Sequence, residues 1–455
     1  MSTAFWTLDR IADALAEHAT GSLPRGTTEI SAITTDTRKI GKGMAFVALK
    51  GEYFDGHDYL DDAVRDGAAA LVVSRSPRLS SLGVPIFEVR DTLVALGALG
   101  RYWRRAWSKT IIGVAGSNGK TSTKDLLRAA LGGSFSVHAT TGNLNNRVGV
   151  PLTLLSLPPE AELAVVELGT SLPGEVGMLR DISEPDIALV TSIAEEHLEG
   201  LGDLAGVLRE EAAVYDGVSV AIAPSAQPEI AEEARRRAGR VVVAGLDASA
   251  DLKPDRWEIG PDGLGVIEIG GVTIEPPVRG IHNLRNAMLA LAVARECGVS
   301  YEDAGKGIAA MPQPKMRSAW EQLGEITLIN DAYNANPGST RAAIELLKGT
   351  GSGRQRVIVL GTMRELGAAS AQCHADIAGL ALASGAEIVA GIGEFAAPLQ
   401  QLKDKRVITA SDIEDLWPQL QGRLARNAIV LLKASRGVQL ERLVPHLTTW
   451  ATTSA

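Results

Sequence analysis

Four short runs, "TIIGVAG", "LAVVELG", "DIALVTSI" and "SVAIAPS", beginning at Thr110, Leu163, Asp186 and Ser219, are apolar at nearly every position. A strand with one wet face alternates apolar and polar side chains, whereas a continuous apolar run needs cover on both faces. Helical sequence follows each run, so the pattern predicts a parallel, doubly covered sheet. The rhythm returns in "ITLINDAY", "RVIVLGT", "EIVAGIG", "RVITA" and "AIVLLKAS", separated by helical patterns that start near Gly338, Ala369, Glu394 and Ser411. Five parallel strands in series predict a Rossmann-like sheet. Between the two series, "MPQPKMRS" carries two prolines near residue 313 and reads as a hinge.

The first hundred residues mix short strands ("GMAFVALKG", "AAALVVSR") with helical stretches and end in the arginine-rich "LVALGALGRYWRRAWSK". A chain of 455 residues exceeds what one core organises. The expected fold is α/β in three domains: a small N-terminal α/β domain (1–108), a central P-loop-type parallel-sheet domain (109–313) and a C-terminal Rossmann-like domain (314–455). Two such domains on a short hinge are expected to bind a ligand between them and close on it.

Hydrophobic residues make up 45% of the chain and charged ones 22%, which leaves no expectation of disorder. The net charge of −9 argues against nucleic acid or an anionic membrane held by bulk attraction, so an anionic ligand needs a dedicated pocket. Cys297 and Cys373 form no CxxC pair, and "MSTAFWTLDRIADALAEH" has no secretory pattern, which fits a reducing cytoplasm. No apolar window reaches membrane-spanning length. The expectation is a cytoplasmic monomer without membrane insertion.

In "GVAGSNGKTSTKDLL", residues 113 to 127, a strand runs into the loop Gly116-Ser117-Asn118-Gly119-Lys120-Thr121 and then a helix that includes Ser122. Glycines let backbone wrap a phosphate, and the helix N-terminus adds positive potential. Lys120 reaches the β/γ oxygens, and the Thr121 hydroxyl can ligate Mg²⁺. The strict Walker spacing needs glycine where Val114 stands, so the match is to a shortened GxxGK[ST] form. Glu167 and His197 follow near strand ends, where an α/β site gathers its chemistry. Glu167 is a candidate Mg²⁺ ligand; His197 is a less usual one, with a satisfied surface histidine as the alternative. None of the seven histidines forms a zinc-spaced pair. "GIHNLRNAMLALAVA" and "NDAYNANPGSTRAAIELL" are dense in amides that either cap helices or grip a ligand. "KASRG", residues 433 to 437, offers two cations and a hydroxyl at a strand end, or a solvated charge pair.

Taken together, "GSNGKTSTK", "TTGNLNNRVGVPLTLL", "VVELGTSLPGEV", "HLEGLG", "GIHNLRNA", "NDAYNANPGSTRAA", "MRELG" and "LLKASRG" resemble, in order and approximate spacing, the motifs of the Mur ligases of bacterial cell-wall synthesis. The likeness spans the chain, and "GNLNNRVGVP" with "AYNANP" favours the tripeptide-accepting branch. The resemblance implies an ADP-forming amide ligase of peptidoglycan synthesis, with ATP and Mg²⁺ as cofactors. Its implied partners are UDP-N-acetylmuramoyl-tripeptide and D-alanyl-D-alanine. It implies catalytic roles for Lys120, Glu167, His197 and Glu211, with Thr121, Glu167, His197 and Glu211 toward metal. Gly116 to Ser122 are implied for the triphosphate, and His282, Asn283, Asn286, Arg317 and Asp331 for the rest of ATP. For substrate it implies Asp36, Thr37, Arg38, Lys50, Gly51, Asp55, Gly56 and His57 on the UDP moiety. Asn143, Asn145 and Asn146 are implied along a channel, and Asn334, Asn336, Lys433, Ser435 and Arg436 toward the dipeptide and transferred phosphate.

Two positions depart from the family pattern. Thr362 stands where an aspartate is usual, and Glu211, fourteen residues after His197, stands where the family has a carbamylated lysine. Glutamate keeps the charge of a carbamate on a shorter stem. Two rival readings are a folate polyglutamating ligase, which "TTDTR" weighs against, and a nucleotide-binding protein without ligase activity.

Overall fold

The computed structural model describes residues 5–75, 82–314, 316–351 and 353–452, so Lys315 of the expected hinge lies outside the described residues. The chain divides into two compact units. One comprises Met1–Gly113, Ser136–Gly169 and Glu175–Asp186, and the other Val114–Phe135, Thr170–Gly174 and Ile187–Ala455. The division runs inside the strand Thr110–Ala115 rather than at a boundary between sequence domains.

The first unit holds a four-stranded parallel sheet in chain order: Ile33–Thr34, Met44–Val47, Ala68–Val73 and Ile86–Glu88. The helix Thr92–Trp107 follows, capped by the Asp91 carboxylate, which accepts from Leu93 and Val94 N–H. Gly100 and Gly97 let it pack closely: a Cβ at these positions would stand 3.0 Å from Pro151 and from Ile182. The basic stretch of this helix has an internal purpose. Arg104 is buried and donates to the Ser183, Glu184 and Lys109 carbonyls and to the Asp186 carboxylate, while Arg101 and Arg105 pair with Glu184. Buried guanidinium requires such full pairing.

The central sheet has six strands in the order Arg240–Ala244, Val220–Pro224, Ile187–Val190, Thr110–Ala115, Leu163–Glu167, Val137–Ala139. All four continuous apolar runs are strands of it. In the second unit the helix Lys120–Leu131 packs against Ile281–Glu296 and Tyr301–Ala309. An antiparallel three-stranded sheet, Arg256–Ile259, Gly265–Ile269 and Val272–Ile274, was not expected from sequence. Its middle strand alternates buried and half-buried residues over only five positions, too short a signal to stand out.

The C-terminal sheet carries the five expected parallel strands and one antiparallel edge strand, Ala319–Leu323, in the order Ala319–Leu323, Ile326–Asp331, Ile429–Lys433, Arg356–Leu360, Ile388–Ile392, Val407–Ala410. Its double cover is explicit: Val357, Val359, Val430 and Leu432 enter one core, and Ile358, Leu360, Ile429 and Leu431 the other.

Tyr215 interrupts the central ladder. Its buried hydroxyl accepts from Val190 N–H at 3.0 Å and donates to the Ile222 carbonyl at 2.8 Å, standing between two adjacent parallel strands. Tyr215→Phe strands two buried backbone groups, each carrying a desolvation penalty of about 1–3 kcal/mol. A urea titration is expected to show destabilisation of that order, and an unchanged midpoint would refute the bridging role.

Candidate active site

The loop after Thr110–Ala115 is shaped by two glycines in the left-handed region. Gly116 has φ +117°, and a Cβ there would stand 2.4 Å from Thr191 Oγ1; Gly119 has φ +90°, and its Cβ would stand 2.8 Å from the Asn286 amide. No other residue type fits either place without strain. The strand end Thr191–Ala194 then holds the loop. Ser117 N–H donates to the Ser192 carbonyl at 2.7 Å and Asn118 N–H to Ser192 Oγ at 3.2 Å. Thr191 Oγ1 donates to the Asn118 carbonyl at 2.6 Å, and Ser117 Oγ accepts from Ala194 N–H at 2.9 Å. The N–H groups of Ser117 and Asn118 are therefore committed within the protein. The helix Lys120–Leu131 starts at this loop, and its N-terminal end carries the positive potential of the aligned backbone dipoles.

Lys120 donates to the Gly116 carbonyl and lies 3.9 Å from both Glu196 Oε1 and Glu211 Oε1. Glu211 is fully buried, and its Oε2 accepts from Gly116 N–H at 2.7 Å. Burial pushes the Glu211 carboxyl up to about 7, with Glu196 adding to the rise and Lys120 opposing it. Burial also raises Glu196, against the pull of Lys120 and His197. One oxygen of each carboxylate, Oε1 in both, has no hydrogen-bond partner. His197, with φ +50°, lies with Nδ1 against the Glu365 carboxylate and Nε2 4.0 Å from Glu196 Oε2. Burial lowers the affinity of His197 for a proton, but Glu365 and Glu196 outweigh it and the net shift is upward. Among the described residues no three His, Cys, Asp or Glu side chains form a ready cation cage. The two buried, unpartnered carboxylate oxygens are nonetheless hard donors of the kind Mg²⁺ takes alongside waters and phosphates.

Two asparagines of the second unit, Asn336 and Asn286, reach this loop. Asn118 and Asn336 exchange amide hydrogen bonds of 3.2 and 2.9 Å, and Asn336 also caps the helix Pro337–Lys348 through a capping box. The capping reading of that asparagine holds, and its amide also reaches the loop. Asn286 backs Gly119 and donates to Asn283, which donates to the Arg279 carbonyl. Arg317 stacks on Tyr333 at 4.1 Å. Lys433 pairs with Asp331 at 2.6 Å, donates to the Asn334 carbonyl and is only 4% exposed. The charge pair at the "KASRG" strand end is therefore buried, because parallel register sets Lys433 beside Asp331. Ser435 Oγ accepts from Arg364 N–H, and Arg436 pairs with Glu441. Thr362 Oγ1 accepts from Glu394 N–H, so the threonine caps a loop where an aspartate was expected.

In the first unit, Asp36 binds Arg38 through both oxygens at 2.9 Å and caps the turn Thr37–Lys39. His57 is buried: Nδ1 meets Asp55 at 2.6 Å and Nε2 accepts from Ser74 N–H at 3.0 Å, which fixes its tautomer and ties the loop to the strand Ala68–Val73. Lys50 and Asp55 form an isolated bridge around Gly51, and Gly56 is forced by the Leu49 carbonyl, which a Cβ would meet at 2.9 Å. Asn145 donates to the buried Glu167 carboxylate at 3.1 Å, and Asn146 accepts from Val148 and Gly149 N–H as a turn cap. The Asn143 carbonyl accepts from Asn145 N–H. Sequence reasoning missed Glu196 and Glu365. The juxtaposition "AEEH" at a strand end is the signal that points to Glu196.

Family models describe three consecutive parts: Mur ligase family, catalytic domain over residues 29–104, Mur ligase middle domain over 114–294, and Mur ligase, glutamate ligase domain over 316–436. The chain belongs to the Mur ligase family. Within it, the chain is 33% identical over 433 residues to the UDP-N-acetylmuramoyl-tripeptide–D-alanyl-D-alanine ligase of Bacillus subtilis, covering 92% of this chain and 93% of the relative. It is similar to a crystal structure of MurF from Acinetobacter baumannii with a TM-score of 0.88, 30% identity and coverage of 98% and 99%. The MurF ligase of Thermotoga maritima, solved in complex with ADP, matches at a TM-score of 0.83 and 26% identity over 92% of this chain and 97% of that one.

Two outcomes follow from the geometry. Gly119→Ala is expected to lose at least tenfold in nucleotide affinity by calorimetry, since its methyl displaces the Asn286 amide; retained affinity would remove that requirement. Burial, with Lys433 and Arg285 assisting and Asp331 opposing, depresses His282 to about 4. A lowered folded-state value favours the neutral form, so its contribution to stability is complete above the ordinary histidine value of about 6.5 and is lost as pH falls toward 4. The His282 ring resonances are expected to stay flat between pH 8 and 5.5, and a midpoint near 6.5 would contradict this.

Proposed function

We propose that this chain joins D-alanyl-D-alanine to UDP-N-acetylmuramoyl-tripeptide at the expense of ATP, releasing ADP and phosphate. The observation that carries the reading is the near full-length likeness to ligases of that name, joined to a phosphate loop whose lysine, glycines and helix start lie together. The terminal carboxylate of the tripeptide attacks the γ-phosphorus, the bond to ADP breaks, and an acyl phosphate forms. The free amine of the dipeptide then attacks the acyl carbon, phosphate leaves with the electron pair, and the nitrogen loses a proton.

The first-turn amides of Lys120–Leu131 hold phosphate oxygens, and Lys120 turns from the Gly116 carbonyl to the spreading phosphoryl charge. In the second unit Thr121 and His197 would hold Mg²⁺, with the Glu211 oxygen that makes no hydrogen bond as a further hard donor; when bound, the ion neutralises phosphate charge. Arg317 with Tyr333 offers a cationic, aromatic surface to the nucleotide, and His282, Asn283 and Asn286 serve it as well. Asp36, Arg38 and the Lys50–His57 loop serve the UDP moiety, and Asn143, Asn145 and Asn146 the peptide. Ser435 and Arg436 face the dipeptide step, whereas Lys433 acts through Asp331.

Product formation from the UDP-linked tripeptide, ATP and dipeptide, with one ADP per amide, tests the reading and separates it from both rivals. Lys120→Ala is expected to lower turnover at least a thousandfold while binding of the UDP substrate stays within a few-fold. Parental turnover in that variant would sink the assignment.

A further inference from the structure

Glu211 does more in this geometry than supply a negative charge. Its side chain is fully buried at the end of the helix Leu204–Glu211, and Oε2 accepts from Gly116 N–H at 2.7 Å. The carbonyl of that glycine accepts from Lys120, whose ammonium stands 3.9 Å from Glu211 Oε1. One carboxylate therefore fixes both sides of a single loop residue: the N–H directly and the C=O through the lysine. Gly116 is the residue least able to hold itself, since its φ of +117° is a conformation that only glycine adopts readily, and an unbraced glycine has the widest freedom to leave it. Thr191 crowds it from one side, and the next two N–H groups are held by Ser192.

We propose that Glu211 is a positioning residue that braces the phosphate-binding loop before nucleotide arrives, by accepting the Gly116 N–H and steadying Lys120. Glu211 Oε2 can accept this bond whether or not the carboxyl is ionised, and the side chain needs no reaction with CO₂, so the loop is preassembled in bicarbonate-free solution. Glu196 shares the lysine from its other side at 3.9 Å but makes no comparable bond to Gly116, so it cannot substitute. The proposal refines the nucleotide site of the reading above, and its first test needs no nucleotide.

The experiment is amide hydrogen exchange at Gly116 in the full chain without ligands, followed by ATP binding by calorimetry. Glu211→Gln keeps the stem and an acceptor oxygen; exchange is expected within about threefold of the parent. Glu211→Ala removes the acceptor; Gly116 is expected to exchange at least tenfold faster, ATP affinity to fall at least tenfold, and UDP-substrate binding to stay within a few-fold. Parental exchange in Glu211→Ala overturns the proposal. So does equal acceleration in both variants, which would make the charge and not the bond decisive. Removing bicarbonate is expected to leave Gly116 exchange in the parent unchanged, and acceleration there would also overturn it. Failure of ligation with Gly116 exchange as expected would fault the functional reading and leave the brace standing.

Discussion

The phosphate-binding loop keeps its shape because its own polar groups are already bonded to the protein. A loop free to collapse would fill its anion site with its own backbone, and ordering it anew on binding would cost conformational entropy. Here the strand end Thr191–Ala194 takes the Ser117 and Asn118 amides, Asn286 stands behind Gly119, and Gly116 is fixed by its own two bonds. The cost of rigidity has been met during folding, and the positive end of the following helix dipole stands ready beside it.

That arrangement concentrates charge where water is scarce. Lys120 lies 3.9 Å from both Glu196 and Glu211, His197 lies 4.0 Å from Glu196, and one oxygen of each carboxylate makes no hydrogen bond. Lys433 and Asp331 instead form a buried one-to-one pair, with the lysine also donating to the Asn334 carbonyl. A buried pair matched in this way organises a fold, whereas one cation shared between two carboxylates beside a phosphate loop is the commoner mark of a site.

The architecture was legible because it rests on periodicity. Continuous apolar runs report burial on both faces whatever their neighbours, and the strands Ile326–Asp331 and Ile429–Lys433 fell where those runs stand. The loop was legible for a local reason: glycine, lysine and threonine at fixed offsets after a strand have few other uses. What escaped is nonlocal. The pairing of Lys433 with Asp331 needs the order of strands in the sheet, and the approach of Asn118 to Asn336 joins residues 218 positions apart. The short antiparallel sheet Arg256–Ile274 escaped because three to five residues carry too little pattern. The arginine-rich segment before the loop gave no sign of an interior role, yet Arg104 is an interior fastener.

That fastener bears on how the chain is made. Arg104 finds its partners at Ser183, Glu184 and Asp186, some 80 residues further along, and the first unit is assembled from three separate stretches that end at Asp186. On a ribosome that adds roughly 5–20 residues per second, several seconds pass between the emergence of the arginine and that of its acceptors. Through that interval the guanidinium must remain in water, so the helix Thr92–Trp107 cannot take its final burial. The opening portion of the chain is therefore not a module that finishes itself as it appears, but one that waits for a later segment to arrive and close it.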